Sequence, residues 1–488
     1  MSIIADKIQY KIKPYNWQVN TIRNTENVSE YALFAEVGAG KTCAMVNMLR
    51  VKYYKHGRML RTLIISPLVT LYNWKNEIKL HSTVNDKDIL VLDSASKRIK
   101  QAQTHLYNQL SGKYDVPKIV VINYESVMNA QFFDILKSWQ PEVVILDEMH
   151  YIKNHKSKRS KKILDIGDSA TYRFGMTGTP ILNTPMDIYN QYRFLDRGDT
   201  FGRNFFVFRN RYFQDTNARW QAKQGYFPKF EAIPEMFTEL TDLIYRKAVR
   251  VTKEQCLDLP PLIKKKVIVP MNAAQMKAYK EMKDQFITYV HNELKTKTKA
   301  AIATTALTKA LRLQQIISGF ITDEDGNEQC FEDVPRMSVL KELLTELVPQ
   351  HKVIVWCSFK NNYPRIGKIC DELGVGCAYI TGEQSLADKQ EAMDRLKSDD
   401  KCRVIIANRR AGGIGINLIE AAYSIVYSRN FSLGEEIQSE ARNYRGGSQI
   451  HERVVKIDIC CPDSIDELVI EALAGKQEVS DKIIDGKF

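Results

Sequence analysis

Two groups of short apolar runs, each run followed by a longer amphipathic stretch, predict an α/β protein built as two parallel-sheet lobes with helical insertions between them. Runs dense in Val and Ile suit strands buried on both faces of a parallel sheet. The first group holds TLIIS (62–66), KIVVINY (118–124) and EVVILDE (142–148). The second holds KVIVWCS (352–358), RVIIA (403–407), SIVYS (424–428) and VVKIDIC (454–460). Between the groups the chain changes character. Residues 202–231 are aromatic and basic, residues 272–320 carry helical periodicity, and Leu259-Pro260-Pro261 reads as a hinge. The expected division is 1–196 for the first lobe, 197–335 for the insertion region, 336–462 for the second lobe and 463–488 for a terminal helix.

A chain of 488 residues exceeds what a single core serves. Its 70 Lys and Arg against 58 Asp and Glu leave a net charge of +12, which suits a polyanionic partner. No apolar run reaches the length of a membrane span. The N-terminal MSIIADKIQYKIK interleaves charge with apolar residues, unlike a signal peptide, so a cytoplasmic protein with no membrane partner is expected. None of the nine cysteines forms a CxxC pair, which argues for reduced thiols and against a zinc site.

The strand-like YALFAE (31–36) runs into VGAGKT (37–42), whose ending fits the phosphate-binding pattern GxGK[ST]. Gly38, Ala39 and Gly40 would turn backbone N–H groups toward a β-phosphate, Lys41 would neutralise the β and γ oxygens, and the Thr42 hydroxyl would hold Mg²⁺. The full pattern asks for Gly at position 35, where this chain has Ala35. A second half-site should end a buried strand in an acid, and VVILDE supplies it. Asp147 would hold Mg²⁺, and Glu148 would polarise the water attacking the γ-phosphate of ATP.

Taken together, these and later stretches resemble a superfamily-two helicase or translocase of the Snf2 branch. AEVGAGKT resembles motif I, which tolerates the Ala, and DEMH (147–150) the DEAH-type box. SPLVTLYNWKNEI (66–78) resembles motif Ia and MTGTPILNTPMDIYN (176–190) motif III. AGGIGINL (411–418) resembles motif V, and QSEARNYRGGSQ (438–449) motif VI with one extra residue before its final Gln. The resemblance runs in family order through nearly the whole chain. It implies two RecA-like lobes that close on ATP and Mg²⁺ and track DNA. A compact motor of this kind resembles those of bacteria and large tailed phages, which implies a bacterial or phage-infected cytoplasm.

Residue by residue, the resemblance implies that Arg442 and Arg445 enter the ATP cleft as arginine fingers, although surface arginines on a helix are the plainer alternative. Their i, i+3 spacing would place both on one helical face. Thr177, Gly178 and Thr179 would couple nucleotide state to the DNA side, joined by His150 unless that histidine is merely structural. KPYNWQ (13–18) resembles the adenine-reading Q motif, so Gln18 either reads adenine through its amide or sits on an ordinary amphipathic helix. Ser66, Pro67, Asn73, Ser126, Thr179, Arg410 and Asn417 stand where the family touches the DNA backbone.

Motif III lacks the Ser-Ala-Thr of RNA helicases, which implies DNA, whether duplex, forked or branched. Branch migration or fork remodelling in recombination, repair or replication is the expected process. The alternatives are a duplex translocase that displaces bound proteins and a non-catalytic DNA-binding scaffold. The aromatic-basic segment 203–231 reads either as a stacking wedge or as the core of a small helical insertion. AGGIGINL has no Lys and no third glycine of a dinucleotide fingerprint, so it is not a second phosphate cradle. Its glycines, Gly415 among them, would let the backbone pass close to both ATP and DNA.

Overall fold

The computed structural model describes residues 4–92, 117–217, 228–293, 299–323, 326–410 and 416–485. The chain divides into two units. The first comprises 1–214, 232–258 and 476–488, and the second 215–231 and 259–475. One crossing falls between Asp258 and Leu259, at the Leu-Pro-Pro that reads as a hinge.

Unit one is built on β1 (Glu30–Ala35), β2 (Thr62–Ser66), β3 (Ile89–Leu92), β4 (Ile119–Asn123), β5 (Val143–Asp147), β6 (Tyr172–Met176) and β7 (Ala248–Val251). They form one parallel sheet in the order β3-β4-β2-β5-β6-β1-β7. Strands β2, β4 and β5 are buried at every residue, as their unbroken apolar runs require. Leu33, Ile64, Val121, Ile145 and Phe174 pack with Ile22 of α1 (Asn16–Asn24), Met45 and Leu49 of α2 (Lys41–His56) and Trp74 and Ile78 of α3 (Leu71–His81). Each such burial stabilises the fold by about 1.5–3 kcal/mol. Helix α2 starts at Gly40 and stops at Gly57, both in the left-handed region, with the Arg58 N–H returning to the Tyr53 carbonyl.

Unit two carries β8 (Leu262–Ile268), β9 (Lys352–Trp356), β10 (Gly376–Ile380), β11 (Cys402–Ala407), β12 (Ala421–Val426) and β13 (Val454–Cys460). Their parallel order is β8-β13-β12-β9-β11-β10. Alternate residues face opposite cores: Val353, Val355, Val404 and Ile406 pack on one side, and Ile354, Trp356, Ile405 and Ala407 on the other.

The insertion region does contain the long helices Ala273–Glu293 and Lys299–Ser318, but it also contributes an edge strand to each sheet. The pattern conceals both. Strand β7 is four residues long, and β8 carries Lys264, Lys265 and Lys266, exposed charges that blunt a sheet edge. The terminal helix Ile465–Asp485 begins where Ser464 Oγ accepts the Asp466 N–H, with Asp466 and Glu467 in its first turn. Among the described residues, no helix is long and apolar enough to cross a membrane.

Candidate functional site

The parallel sheet of unit one delivers its chemistry at the C-terminal ends of β1, β5 and β6, where an open α/β sheet binds ligands. After β1, Gly38 and Gly40 take φ of +93° and +85°. Only residues tolerant of that region can turn the loop so its N–H groups face one point. Ala39 is fully buried against Ala35 and Val251, and Thr42 opens α2 half-buried. The Lys41 ammonium is buried and donates to the carbonyls of Ala35 at 2.8 Å and Glu36 at 3.2 Å. Burial pushes its pKa below the ordinary lysine value, against the opposing charges of Glu148 and Asp147.

At the end of β5, Asp147 accepts three hydrogen bonds on one oxygen. Oδ2 takes Ser66 Oγ at 2.9 Å, Trp74 Nε1 at 2.9 Å and Thr70 Oγ1 at 3.5 Å. Burial raises this carboxyl, and the adjacent Glu148 raises it further. Glu148 adopts φ 52°, a left-handed conformation costing about 1–2 kcal/mol in a side-chain-bearing residue. Burial pushes its carboxyl up, yet His150, Lys41 and Thr177 together hold it below the usual carboxylate range. Thr177 Oγ1 lies 3.0 Å from Glu148 Oε2 and 2.9 Å from His150 Nδ1, and it accepts the Thr179 N–H at 3.1 Å. The one hydroxyl proton goes to the carboxylate, so His150 must carry its proton on Nδ1. A Cβ on Gly178 would press within 3.3 Å of the Ala35 carbonyl and the Val37 nitrogen, so motif III packs directly on the phosphate loop.

ATP and Mg²⁺ fit this site on its donor set. The loop glycines turn their backbone as a phosphate nest requires, a buried lysine closes the loop, and Asp147 keeps Oδ1 clear of the three bonds made by Oδ2. Gln18 also reaches the loop, because its Nε2 donates to the Gly40 carbonyl at 2.9 Å. Its Oε1 accepts the Tyr15 N–H at 2.7 Å, which commits that oxygen to capping the helix Asn16–Asn24.

Several residues that the sequence sends toward DNA are buried in unit one. Ser66 is fully buried and its hydroxyl serves Asp147. Ser126 is buried and donates to Asn123 Oδ1, Pro67 is buried, and Thr179 is buried with its hydroxyl unpartnered among the described residues. Asn73 on α3, Arg410 after β11 and Asn417 are exposed. Gly415 lies outside the described residues.

In unit two, Arg442 and Arg445 do not share a helical face. The helix Leu433–Glu440 stops before them, and the Arg442 carbonyl accepts the Leu418 N–H at 3.0 Å instead of continuing the helix. The Arg442 guanidinium is buried and donates to the Ile416 carbonyl at 3.2 Å, binding motif VI to the end of motif V. Arg445 is half-buried, and that burial lowers its pKa.

Trp74, Thr70 and the Glu36–Arg250 pair at 3.1 Å are contributors that the motifs do not announce. Thr70 and Trp74 recur at helical spacing after Ser66, which was the available signal. Arg250 comes from β7, more than two hundred residues after the loop it braces, and carries none.

A profile described as "SNF2-related domain" matches residues 10–319, and one described as "Helicase conserved C-terminal domain" matches 335–447. The chromatin remodeling factor mit1 of Schizosaccharomyces pombe is 25% identical over 92% of this chain and 31% of its own length. The chromodomain-helicase-DNA-binding protein 1-like of Mus musculus is 24% identical over 98% of this chain and 50% of its own. The chain thus spans half or less of these curated relatives. Among solved structures, the Sulfolobus solfataricus SWI2/SNF2 ATPase core in complex with dsDNA is 21% identical, covering 98% of this chain and 94% of that one, at a TM-score of 0.42. With two parallel-sheet α/β lobes and profile matches reaching from residue 10 to residue 447, the chain belongs to the SNF2-related helicase family.

Proposed function

We propose that this chain is an ATP-dependent DNA motor that translocates along duplex or branched DNA. The observation that carries the reading is the buried link from Glu148 through Thr177 to His150, set beside the Lys41 loop and Asp147. Such a link gives a hydrolysing carboxylate a mechanical connection to motif III. On this reading Gly38, Ala39, Gly40, Lys41 and Thr42 hold the phosphates, Thr42 and Asp147 hold Mg²⁺, and Gln18 borders the base. Mg²⁺ supplies charge neutralisation of the phosphates. Glu148 orients and deprotonates the attacking water, while Arg442 and Arg445 serve motif VI, Arg445 as the finger. Asn73, Arg410 and Asn417, being exposed, are the better candidates for backbone contact.

Within that activity we favour remodelling of forked or branched DNA. A second reading, displacement of proteins from duplex DNA, draws support from relatives described as chromatin remodelling factors. The test measures ATPase with and without DNA for the wild type, Lys41→Ala and Glu148→Gln. It then compares a mobile four-way junction, a fork, a partial duplex and a triplex as substrates. DNA-stimulated turnover lost in both variants supports the motor, and equal turnover with and without DNA rejects it. Triplex displacement without junction movement moves the assignment to the second reading.

A further inference from the structure

The aromatic-basic segment is only partly used in building the fold. Phe201, Phe208, Tyr212 and Phe213 are buried, forming with Tyr189 and Tyr192 the core of a small helical unit, so for these residues the packing alternative holds. Trp220 and Tyr226 lie outside the described residues. The helix Phe205–Tyr212 then presents two residues that this core does not take. Phe206 is 52% exposed and Val207 is 64% exposed, side by side on the first turn.

Their mount is rigid. Asn204 Oδ1 accepts the N–H groups of both residues, and Phe205 stacks on His155 at 3.8 Å. It is also positive. Arg209 lies 5.2 Å over the Phe206 ring, and His155 brings up Lys156 and Lys161, both exposed and neither in an ion pair among the described residues. The groups acting on the His155 ring besides its burial are these two lysines, which push its pKa down with no carboxylate to offset them. An exposed ring beside Arg209 and two exposed lysines matches a stacked base with its phosphate better than an apolar protein face.

We propose that Phe206 and Val207, flanked by Arg209, Lys156 and Lys161, form a second nucleic-acid site that takes unpaired bases at a junction or single strand. The inference rests on the DNA-motor reading, and it names the substrate feature that reading leaves open. Duplex bases are stacked on one another, so this site discriminates for unpaired ones.

The test measures anisotropy of the full chain on a labelled single strand, a fork and a blunt duplex, together with duplex-stimulated ATPase. Phe206→Ala should weaken single-strand and fork binding by roughly tenfold, with duplex binding and duplex-stimulated ATPase unchanged. Phe206→Trp should restore binding. Lys156→Ala should reduce the salt dependence of single-strand binding by about one ion. Val207→Asn, at a position 64% exposed, gives a second variant should Phe206→Ala lower the melting temperature. Equal loss on duplex and fork overturns the proposal, as does unchanged binding to all three, which would give the surface to a protein partner. Absence of duplex-stimulated ATPase in the wild type would instead count against the motor reading.

Discussion

The indole N–H of Trp74 lies 2.9 Å from Oδ2 of Asp147, on the same oxygen that Ser66 Oγ reaches. A residue of α3 thereby orients the carboxylate proposed to hold Mg²⁺. Trp74→Phe keeps most of the packing and removes the donor. It should raise the Mg²⁺ concentration needed for half-maximal ATPase by roughly tenfold, the usual cost of losing a supporting hydrogen bond. A Mg²⁺ titration of ATPase decides it, and an unchanged half-saturation point would mean that Trp74 only fills space.

Thr177 stands between Glu148 and His150, with its hydroxyl within 3.0 Å of both. Thr177→Val preserves volume and removes the bridging hydroxyl, leaving only the direct 3.3 Å approach of His150 Nδ1 to Glu148 Oε2. Stimulation by DNA should fall about tenfold, the scale of a single coupling interaction, while nucleotide affinity holds. The ratio of DNA-stimulated to basal turnover, read beside binding of a fluorescent nucleotide, separates this outcome from a loss of ATP binding.

Glu142, at the entry to β5, accepts from Arg58 and from the Arg61 N–H, and these partners lower its pKa from 4.5 to about 2. A depressed folded-state pKa means the stabilisation is present above the unfolded value and is lost as protons bind. Wild type should therefore melt above Glu142→Gln at neutral pH, and the gap should close as pH falls from about 4.5 toward 2. Melting curves across that window test the sign, and a gap that widens on acidification would contradict it.

How much of this was legible beforehand depended on burial and on sequence distance. The buried strands at 62–66 and 454–460 fall where Val and Ile runs place them, because a strand covered on both faces is filled chiefly by apolar residues and admits a charge such as Lys456 only with carboxylate partners, here Glu436 and Glu440. β8 was hidden because an edge strand carries lysines on purpose. The loop 37–42 and the Asp147–Glu148 pair stand out in the sequence because each is a contiguous pattern, and the fold sets them after β1 and β5 of one sheet. Ser66 shows the limit: its motif was recognised, but only the fold reveals that its hydroxyl turns inward to Asp147 rather than outward. Arg442 shows another. Spacing placed it on a helix, but a carbonyl taken by Leu418 ends that helix first.

Unit two stakes a buried charge network on the helix that leads into motif VI. Glu436, on that helix, accepts from Arg409 and, at 2.5 Å, from Lys456 of β13, while Glu440 one turn on accepts from Lys456 at 3.1 Å. Arg409 is 1% exposed and directly precedes Arg410 and the motif V glycines. Burial pushes Glu436 up, but Arg409 and Lys456 outweigh it, so the carboxylate stays ionised well below the usual range. Removing one member leaves its partners charged and uncompensated, which costs about 3–5 kcal/mol, whereas replacing charge on both sides is far milder. Glu436→Gln should therefore lower the unfolding free energy by about that amount, and adding Arg409→Met should recover part of it. Denaturant unfolding of the wild type, both single variants and the double variant closes the cycle. Simple additivity of the two single losses would show that Arg409 and Glu436 act independently, and the clamp between motif V and motif VI would have to be sought in the Arg442–Ile416 bond instead.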